Sequence, residues 1–338
     1  MERMHSSIDY SDSAEESDDS IVVNDVCCSI SSICRNGVEF PDQDNLLLEL
    51  MHLMQVTSIA NTINAIDAIV DIVENAKKPF SPIVSMKLVN ASLWIVNSSL
   101  VNSAVRSAMI YVYRRIAETQ YESCCLMAKL RIWDELGREI TDEDFSVSIE
   151  ALQLTCVLLS SLAKFNPDFG ESSSKATSSS ATEEPTVSYL LSQCRSIESS
   201  CLINSVEHAL DSASCQIQHL TLDVLAALFA LCSMEVQVIS LQTSVFSCAT
   251  KTCCKRCSLK LALSESAVLD KLKLLVSTHK NDTLQKHASD VLENSSKWTI
   301  KSNEEFRDNE ASEPSVDSVS SDIKMEEDIT SNTYNSTN

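Results

Sequence analysis

Glycine is almost absent from this sequence, and proline is scarce. The 338 residues contain three glycines and six prolines. Tight β-hairpins and phosphate-binding loops need residues that tolerate positive φ, which glycine supplies at little steric cost. The scarcity of glycine therefore disfavours β-rich folds and nucleotide-binding loops, and it favours an all-α fold.

Basic residues are also few. The chain has 26 lysines and arginines against 48 aspartates and glutamates, a formal net charge of −22. Both ends contribute, because residues 1–20 contain seven acids and one base, and residues 301–338 contain ten acids and three bases. Duplex-binding proteins need a basic surface for phosphate contacts. We therefore expect no direct nucleic-acid binding, and a basic protein partner fits this charge better.

No apolar run is long enough to span a membrane. The longest runs from Val224 to Cys232, whereas a transmembrane helix needs about 20 apolar residues. The first residues are acidic and show no apolar segment of signal-peptide type. We therefore expect no membrane partner, and we expect the fourteen cysteines to be reduced thiols in the cytosol or nucleus rather than a disulfide framework.

Catalytic motifs are missing as well. The six histidines are scattered, and the chain has no Gly-x-Ser-x-Gly elbow, His-Glu-x-x-His sequence, phosphate-binding loop or catalytic cysteine motif. We therefore expect a protein that is not an enzyme and that needs no cofactor and no small-molecule substrate.

What the sequence does have is helical periodicity, which begins after Pro41. One apolar stripe with steps of three and four residues contains Ile59, Ile63, Ile66, Val70 and Val73. Ser81 and Pro82 then form a helix start signal, because serine caps the first turn and proline needs no N–H partner there. The helix that follows is apolar on two opposite sides, which predicts packing between two neighbours.

Helix pairs start near residues 43, 82 and 124, a step in the length range of armadillo and HEAT units. The closing pair, from Ala267 to Trp298, resembles the last helices of such an array. This resemblance implies an all-α fold, a right-handed superhelical solenoid of antiparallel helix pairs with disordered acidic termini. No residue signature is shared between the units, so it implies architecture and not activity.

The composition divides the chain into five parts. We expect a mostly disordered acidic segment over 1–40, a first helical repeat region over 41–167 and a Ser-rich disordered insert over 168–186. A second helical repeat region over 187–300 and a disordered acidic tail over 301–338 follow.

Three cysteines near the middle of the second region are candidates for a metal site. Cys254 and Cys257 have the spacing of a zinc knuckle, and Cys253 is adjacent. A second half with matching spacing is missing. The alternative is a thiol-rich loop or core segment that binds no metal.

Ile21, Val22 and Val23 follow an acidic, serine-rich run and resemble a SUMO-interacting motif. A β-branched triplet favours an extended backbone and can add a strand to a partner's sheet, while flanking acids face its basic residues. The alternative is that the triplet begins the folded domain and packs under the first helices.

The C-terminal tail contains a second SUMO-like pattern. Ile323, Lys324 and Glu326 match the attachment sequence in which an apolar residue and a glutamate flank the modified lysine. Ser6 and Ser13 each precede an acid by three residues and resemble acidophilic kinase sites. The alternative for both tails is a role in solubility alone.

These features predict a non-enzymatic scaffold or adaptor for other proteins, SUMO or sumoylated proteins among them. The SUMO-like motifs favour the nucleus and an assembly of the chromatin, repair, meiotic or transcription type. The alternative is a carrier or chaperone-like binder of basic protein segments in the cytoplasm or nucleus.

Overall fold

The computed structural model describes residues 18–38, 40–56, 59–98, 101–119, 121–130, 132–164, 187–245 and 257–295. Within these ranges the chain is helical and contains no strand. The helices are α1 (Asp18–Arg35), α2 (Gln43–Val56), α3 (Ile59–Asn75), α4 (Pro82–Asn97), α5 (Ser103–Thr119), α6 (Tyr121–Lys129), α7 (Trp133–Ile140), α8 (Phe145–Ala163), α9 (Val187–Ser199), α10 (Leu202–Ala209), α11 (Cys215–Val245), α12 (Ser258–Glu265), α13 (Val268–Thr278) and α14 (282–295).

The helices form two layers. In the first layer, α1, α3, α5, α8 and α11 pack side by side in chain order, and α14 contacts α11 through His287. The second layer contains α2 and α4, followed by the shorter pairs α6–α7, α9–α10 and α12–α13. One continuous apolar core lies between the layers. This is the helical solenoid that the sequence predicts.

Hydrogen bonds between neighbouring units show a regular repeat. Six bonded pairs, each joining successive units, are separated by 36 to 38 residues along the chain: Arg35–Asp71, Asp44–Ser81, Glu74–Tyr111, Asn97–Glu135, Arg106–Asp142 and Arg114–Glu150. The spacing rises to 60 for Trp133–Gln193 and 64 for Cys125–Tyr189, because residues 165–186 lie between them in the chain.

Helix starts follow from capping side chains. The Ser81 side chain accepts a hydrogen bond from the Val84 N–H, and Pro82 occupies the first turn of α4, as predicted. Asp144 caps α8 by accepting from the Ser146 N–H at 2.9 Å. At α14 the cap is Asn281, whose Oδ1 accepts from the Thr283 N–H at 3.0 Å. These caps satisfy N–H groups that have no partner within the helix.

Two helices, α8 and the Cys215–Ile239 part of α11, are long and apolar enough to cross a membrane. They pack along each other in the first layer, and 56% of each apolar window is buried inside the protein. Core helices of a solenoid need this composition, because neighbours in the same layer and helices of the second layer cover most of their surface.

The first helix, α1, covers residues 18–35 of the 1–40 segment that the composition predicts to be mostly disordered. In this part of the segment the chain is helical, whereas residues 1–17 lie outside the described residues. In α1, Cys27, Ile30 and Cys34 are buried in the core against α3. Spaced by three and four residues, they form a helical stripe that the acidic residues before it obscure.

Candidate interaction surface

The first layer has one side that is not covered by the second layer. On each of its middle helices the solvent-reaching residues follow a helical stripe with steps of three and four. We call these stripes the first-layer face: Ile63, Asp67, Val70 and Glu74 on α3; Ala104, Ala108, Tyr111, Arg115 and Glu118 on α5; Ile149, Gln153, Val157 and Ser160 on α8; His219, Asp223, Ala226 and Ala230 on α11.

Polar side chains join neighbouring helices along this face. Arg35 Nη2 on α1 lies 2.8 Å from Asp71 Oδ2 on α3. The Tyr111 hydroxyl on α5 donates to Glu74 Oε1 on α3 at 3.0 Å. Since each contact links two units, the contacts fix the register of the stacked helices.

Arg114 is the central cation of this set. Its Nε donates to Glu150 Oε2 on α8 at 2.9 Å, and its Nη1 donates to Glu118 Oε1 on α5 at 2.9 Å. The guanidinium carbon also lies 5.1 Å from the centre of the Tyr111 ring, a cation–π contact. Burial, followed by the hydrogen bond to Glu74, raises the pKa of Tyr111 to about 12.

The resulting charge on the face is acidic. Asp67, Glu74, Glu118 and Asp223 are exposed on α3, α5 and α11. The two arginines that reach the face are engaged, because Arg114 and Arg115 both form ion pairs with Glu118. Four carboxylates outnumber these two arginines, so the face is acidic even though Glu74 and Glu118 also take part in contacts within the protein.

The centre of the face consists of small and medium-sized apolar side chains. Val70, Ala108, Ile149, Val157 and Ala226 are only partly buried, and all of them pack against the core from the solvent side. Small side chains permit close approach of another chain, and partly exposed apolar surface stabilises an interface when it is covered. Acidic groups around an apolar centre form a surface suited to a protein segment with both apolar and basic residues.

The structure places the predicted SUMO-interacting residues in the first turns of α1. Ile21 and Val22 are exposed, by 47% and 60%, and Val23 packs partly against the core. This helix differs from the extended backbone that strand addition requires. It agrees with the alternative that the triplet begins the folded domain, although two of its three side chains point to solvent.

The other predicted site residues lie mostly outside the described residues: Ser6, Ser13, Cys253, Cys254, Ile323, Lys324 and Glu326. Cys257 is described and precedes α12, where burial raises the pKa of its thiol. Among the described residues, no group of three or more histidine, cysteine or acidic side chains could hold a metal ion.

Sequence reasoning missed the interhelical contacts and one histidine pair. His219 and His287 are 68 residues apart in the chain, yet their Nδ1 atoms are 3.2 Å apart. Periodicity within a helix shows which side is apolar, but it does not show which neighbour a polar residue contacts. A spacing of 36 to 38 residues between opposite charges, as in Arg114 and Glu150, is the signal that could have found the charged pairs.

Comparison with solved structures agrees with this architecture. A designed armadillo repeat protein in complex with the peptide (KR)4 has a TM-score of 0.52 and 16% identity, covering 82% of this chain and 95% of that one. Computationally designed armadillo repeat proteins for modular peptide recognition have a TM-score of 0.52 and 16% identity, covering 82% of this chain and 94% of that one. The chain is an armadillo-like α-solenoid. No protein-family model and no curated protein sequence matches it.

The armadillo-like solenoid confirms the predicted fold class. In this architecture each unit contacts only its neighbours, so the stacked helices present an extended surface rather than a single deep cleft. The similarity extends to the fold alone, since the identities are 16%.

Proposed function

We propose that this protein is a non-enzymatic scaffold that binds a segment of another protein along the first-layer face. The observation that carries the proposal is the combination of exposed carboxylates with a small, apolar centre on α3, α5, α8 and α11. A bound segment would bury apolar side chains at the centre and place basic side chains near Asp67, Glu74, Glu118 and Asp223. A designed armadillo repeat protein of similar fold is in complex with the peptide (KR)4, which supports a basic segment as the partner.

The test is affinity purification with the full chain and two matched variants. Ala230→Arg with Gln153→Arg adds bulk and positive charge to the face, whereas Ile83→Arg changes an exposed apolar residue of α4, 64% accessible. We expect the face variant to lose specific partners and the Ile83 variant to keep them. Identical partners for all three proteins would exclude the first-layer face as the binding site.

A second candidate function is that of a carrier for basic protein segments, which the acidity of the same face favours. The two functions differ in their response to salt, because contacts between exposed charges weaken as the Debye length shortens. With fluorescent (KR)4 as probe, a carrier should bind at low ionic strength and release the peptide near physiological salt. Asp67→Asn with Glu74→Gln should weaken that binding. A scaffold retains few, specific partners at physiological salt.

The proposal includes a nuclear, SUMO-regulated role, which is supported by the sequence pattern around Lys324. A SUMO-shifted band that disappears in Lys324→Arg, together with nuclear fluorescence of the tagged protein, is the expected result. Binding of SUMO by Ile21, Val22 and Val23 would require the first turns of α1 to unfold, so changing the three residues to alanine should have a smaller effect. A Lys324→Arg variant that keeps the shifted band would place the modification at another lysine.

A further inference from the structure

The first helix carries an exposed apolar stripe, which we call the end stripe: Val22, Val26 and Ile33, whose side chains are 60%, 46% and 38% exposed. On the α3 side of α1, Arg35 pairs with Asp71 of α3. At about 100° per residue, the end stripe lies roughly 160° around the helix from Arg35. It therefore points away from α3, to the side on which the described residues contain no preceding unit.

The helix at the other end of the first layer has a different surface. Within α14, over residues 282–295, the exposed side chains are all polar: Asp282, Thr283, Lys286, Ser289, Asp290, Glu293 and Asn294. Terminal units of repeat proteins need a polar outer side for solubility, because no further unit covers them. The surface of α14 meets this requirement, whereas α1 exposes apolar side chains of the kind that another chain covers.

The contrast between the two ends favours a second copy of this chain as the partner of the end stripe. Contact between the end stripe of one molecule and α14 of another would cover charged groups with apolar ones, which costs free energy. Contact between two end stripes buries apolar surface on both molecules and closes after two. We propose that the protein forms a two-fold symmetric dimer through the end stripe, with the two α1 helices antiparallel.

The sequence of α1 fits a pair in which Val26 of one copy lies opposite Ile33 of the other copy. Ser29 is then next to the two-fold axis, where its small side chain permits close approach of the helices. The Ser29 hydroxyl donates to the Asp25 carbonyl at 2.7 Å, so burial of Ser29 leaves this donor satisfied. The contact therefore places apolar residues on both sides of a small centre.

The charges of α1 are compatible with this contact. Asp25 and Arg35 are the charged residues between positions 21 and 35, and neither belongs to the end stripe. In the antiparallel pair the two copies of Asp25 lie roughly 13 Å apart along the helix axis, beyond the Debye length of about 8 Å. The net charge of −22 still opposes association. Because salt screens this repulsion, the dimer should tighten as salt rises, whereas binding of a basic peptide to the first-layer face weakens.

The test is sedimentation equilibrium of the full chain, in reducing buffer so that the exposed Cys28 forms no disulfide. One helix pair is smaller than a standard interface of about 1,200–2,000 Å², so we expect dissociation in the micromolar range. Val26→Lys and Ile33→Glu should each raise the dissociation constant by at least about tenfold, because each would bury an unpaired charge. Ile83→Lys, at an exposed apolar position of α4, should leave it unchanged.

A mixture of the Val26→Lys and Ile33→Glu proteins tests the antiparallel pairing. In the mixed dimer the introduced lysine faces the introduced glutamate, so mixing should restore association, which a folding defect in either variant would prevent. A wild type that stays monomeric at every concentration would overturn the proposal and leave the end stripe to a different protein. A dimer that both single variants retain, or a mixture that stays monomeric, would also overturn it.

Discussion

Gly137 shows how a single residue sets the distance between two units. A Cβ atom placed on it would lie 2.5 Å from the Cys201 Sγ and 3.1 Å from the Leu202 backbone nitrogen. Next to this contact, Asp134 Oδ1 accepts a hydrogen bond from the Cys201 N–H at 3.1 Å. The helices α7 and α10 therefore approach more closely at Gly137 than any larger residue allows.

We expect Gly137→Ala to destabilise the protein by about 1–3 kcal/mol, the usual cost of overpacking a tight contact. Urea denaturation of the full chain measures the change. Gly137→Ala combined with Cys201→Ala should recover part of the loss, because the nearest atom is removed. A stabilised Gly137→Ala protein would mean that α7 and α10 separate without cost and that helix propensity dominates.

Glu235 makes stability depend on pH. It is buried on α11, and its Oε1 accepts hydrogen bonds from the Ser258 N–H and hydroxyl at 3.0 and 3.1 Å, which caps α12. Burial raises the pKa of Glu235 above its ordinary value, and the bonds from Ser258 offset this only in part. The folded state therefore holds the Glu235 proton more tightly than the unfolded state does.

This contribution to stability is fully present below the unfolded pKa of 4.5 and is lost as the pH rises through the higher folded value. Glu235→Gln keeps a carbonyl acceptor for Ser258 and carries no charge. From pH 4.5 to pH 7 the wild type should lose the contribution of protonated Glu235, whereas the variant has no such loss. The unfolding free energy of the variant minus that of the wild type should therefore increase over this range. Denaturant titrations at both pH values measure it, and a constant difference would contradict the prediction.

At the scale of the helix, α1 is the element for which sequence and structure differ most. Ile30 is 8% exposed and packs in the core, whereas the Val22 side chain is 60% exposed. Ile30→Ala should cost about 2–4 kcal/mol of unfolding free energy, and Val22→Ala should change it by less than about 0.5 kcal/mol. Thermal denaturation compares the two. Equal, negligible effects would mean that residues 18–35 are not part of the folded unit.

The other helices show what periodicity can and cannot predict. The starts expected near residues 43, 82 and 124 correspond to α2, α4 and α6, which begin at Gln43, Pro82 and Tyr121. Apolar stripes and the Ser81–Pro82 cap carry that information locally. The division of the second layer into α6 and α7, or α9 and α10, depends on packing between units. No local sequence pattern predicts this division, and none predicts the contact between His219 and His287.

At the scale of the whole molecule, the spacing of the interhelical contacts identifies where sequence is added to the repeat. Six pairs up to Arg114–Glu150 are 36 to 38 residues apart, and pairs across residues 165–186 are 60 or more apart. The serine-rich composition of 168–186 predicts a linker there. Limited proteolysis should therefore cut first between residues 168 and 185, giving two fragments that stay associated through α8 and α11. Protection of that stretch would exclude a linker.

The packing of α8 against α11 has a consequence for how the chain unfolds. Their mutual packing is the largest interhelical contact of the solenoid, while α1 and the last helix are each supported from one side. In a chain with only nearest-neighbour coupling, opening starts where support is weakest and moves inward. Under mild denaturant the terminal units should unfold first, while the units between them stay folded. Deletion of either end would then leave a smaller folding unit rather than a denatured chain.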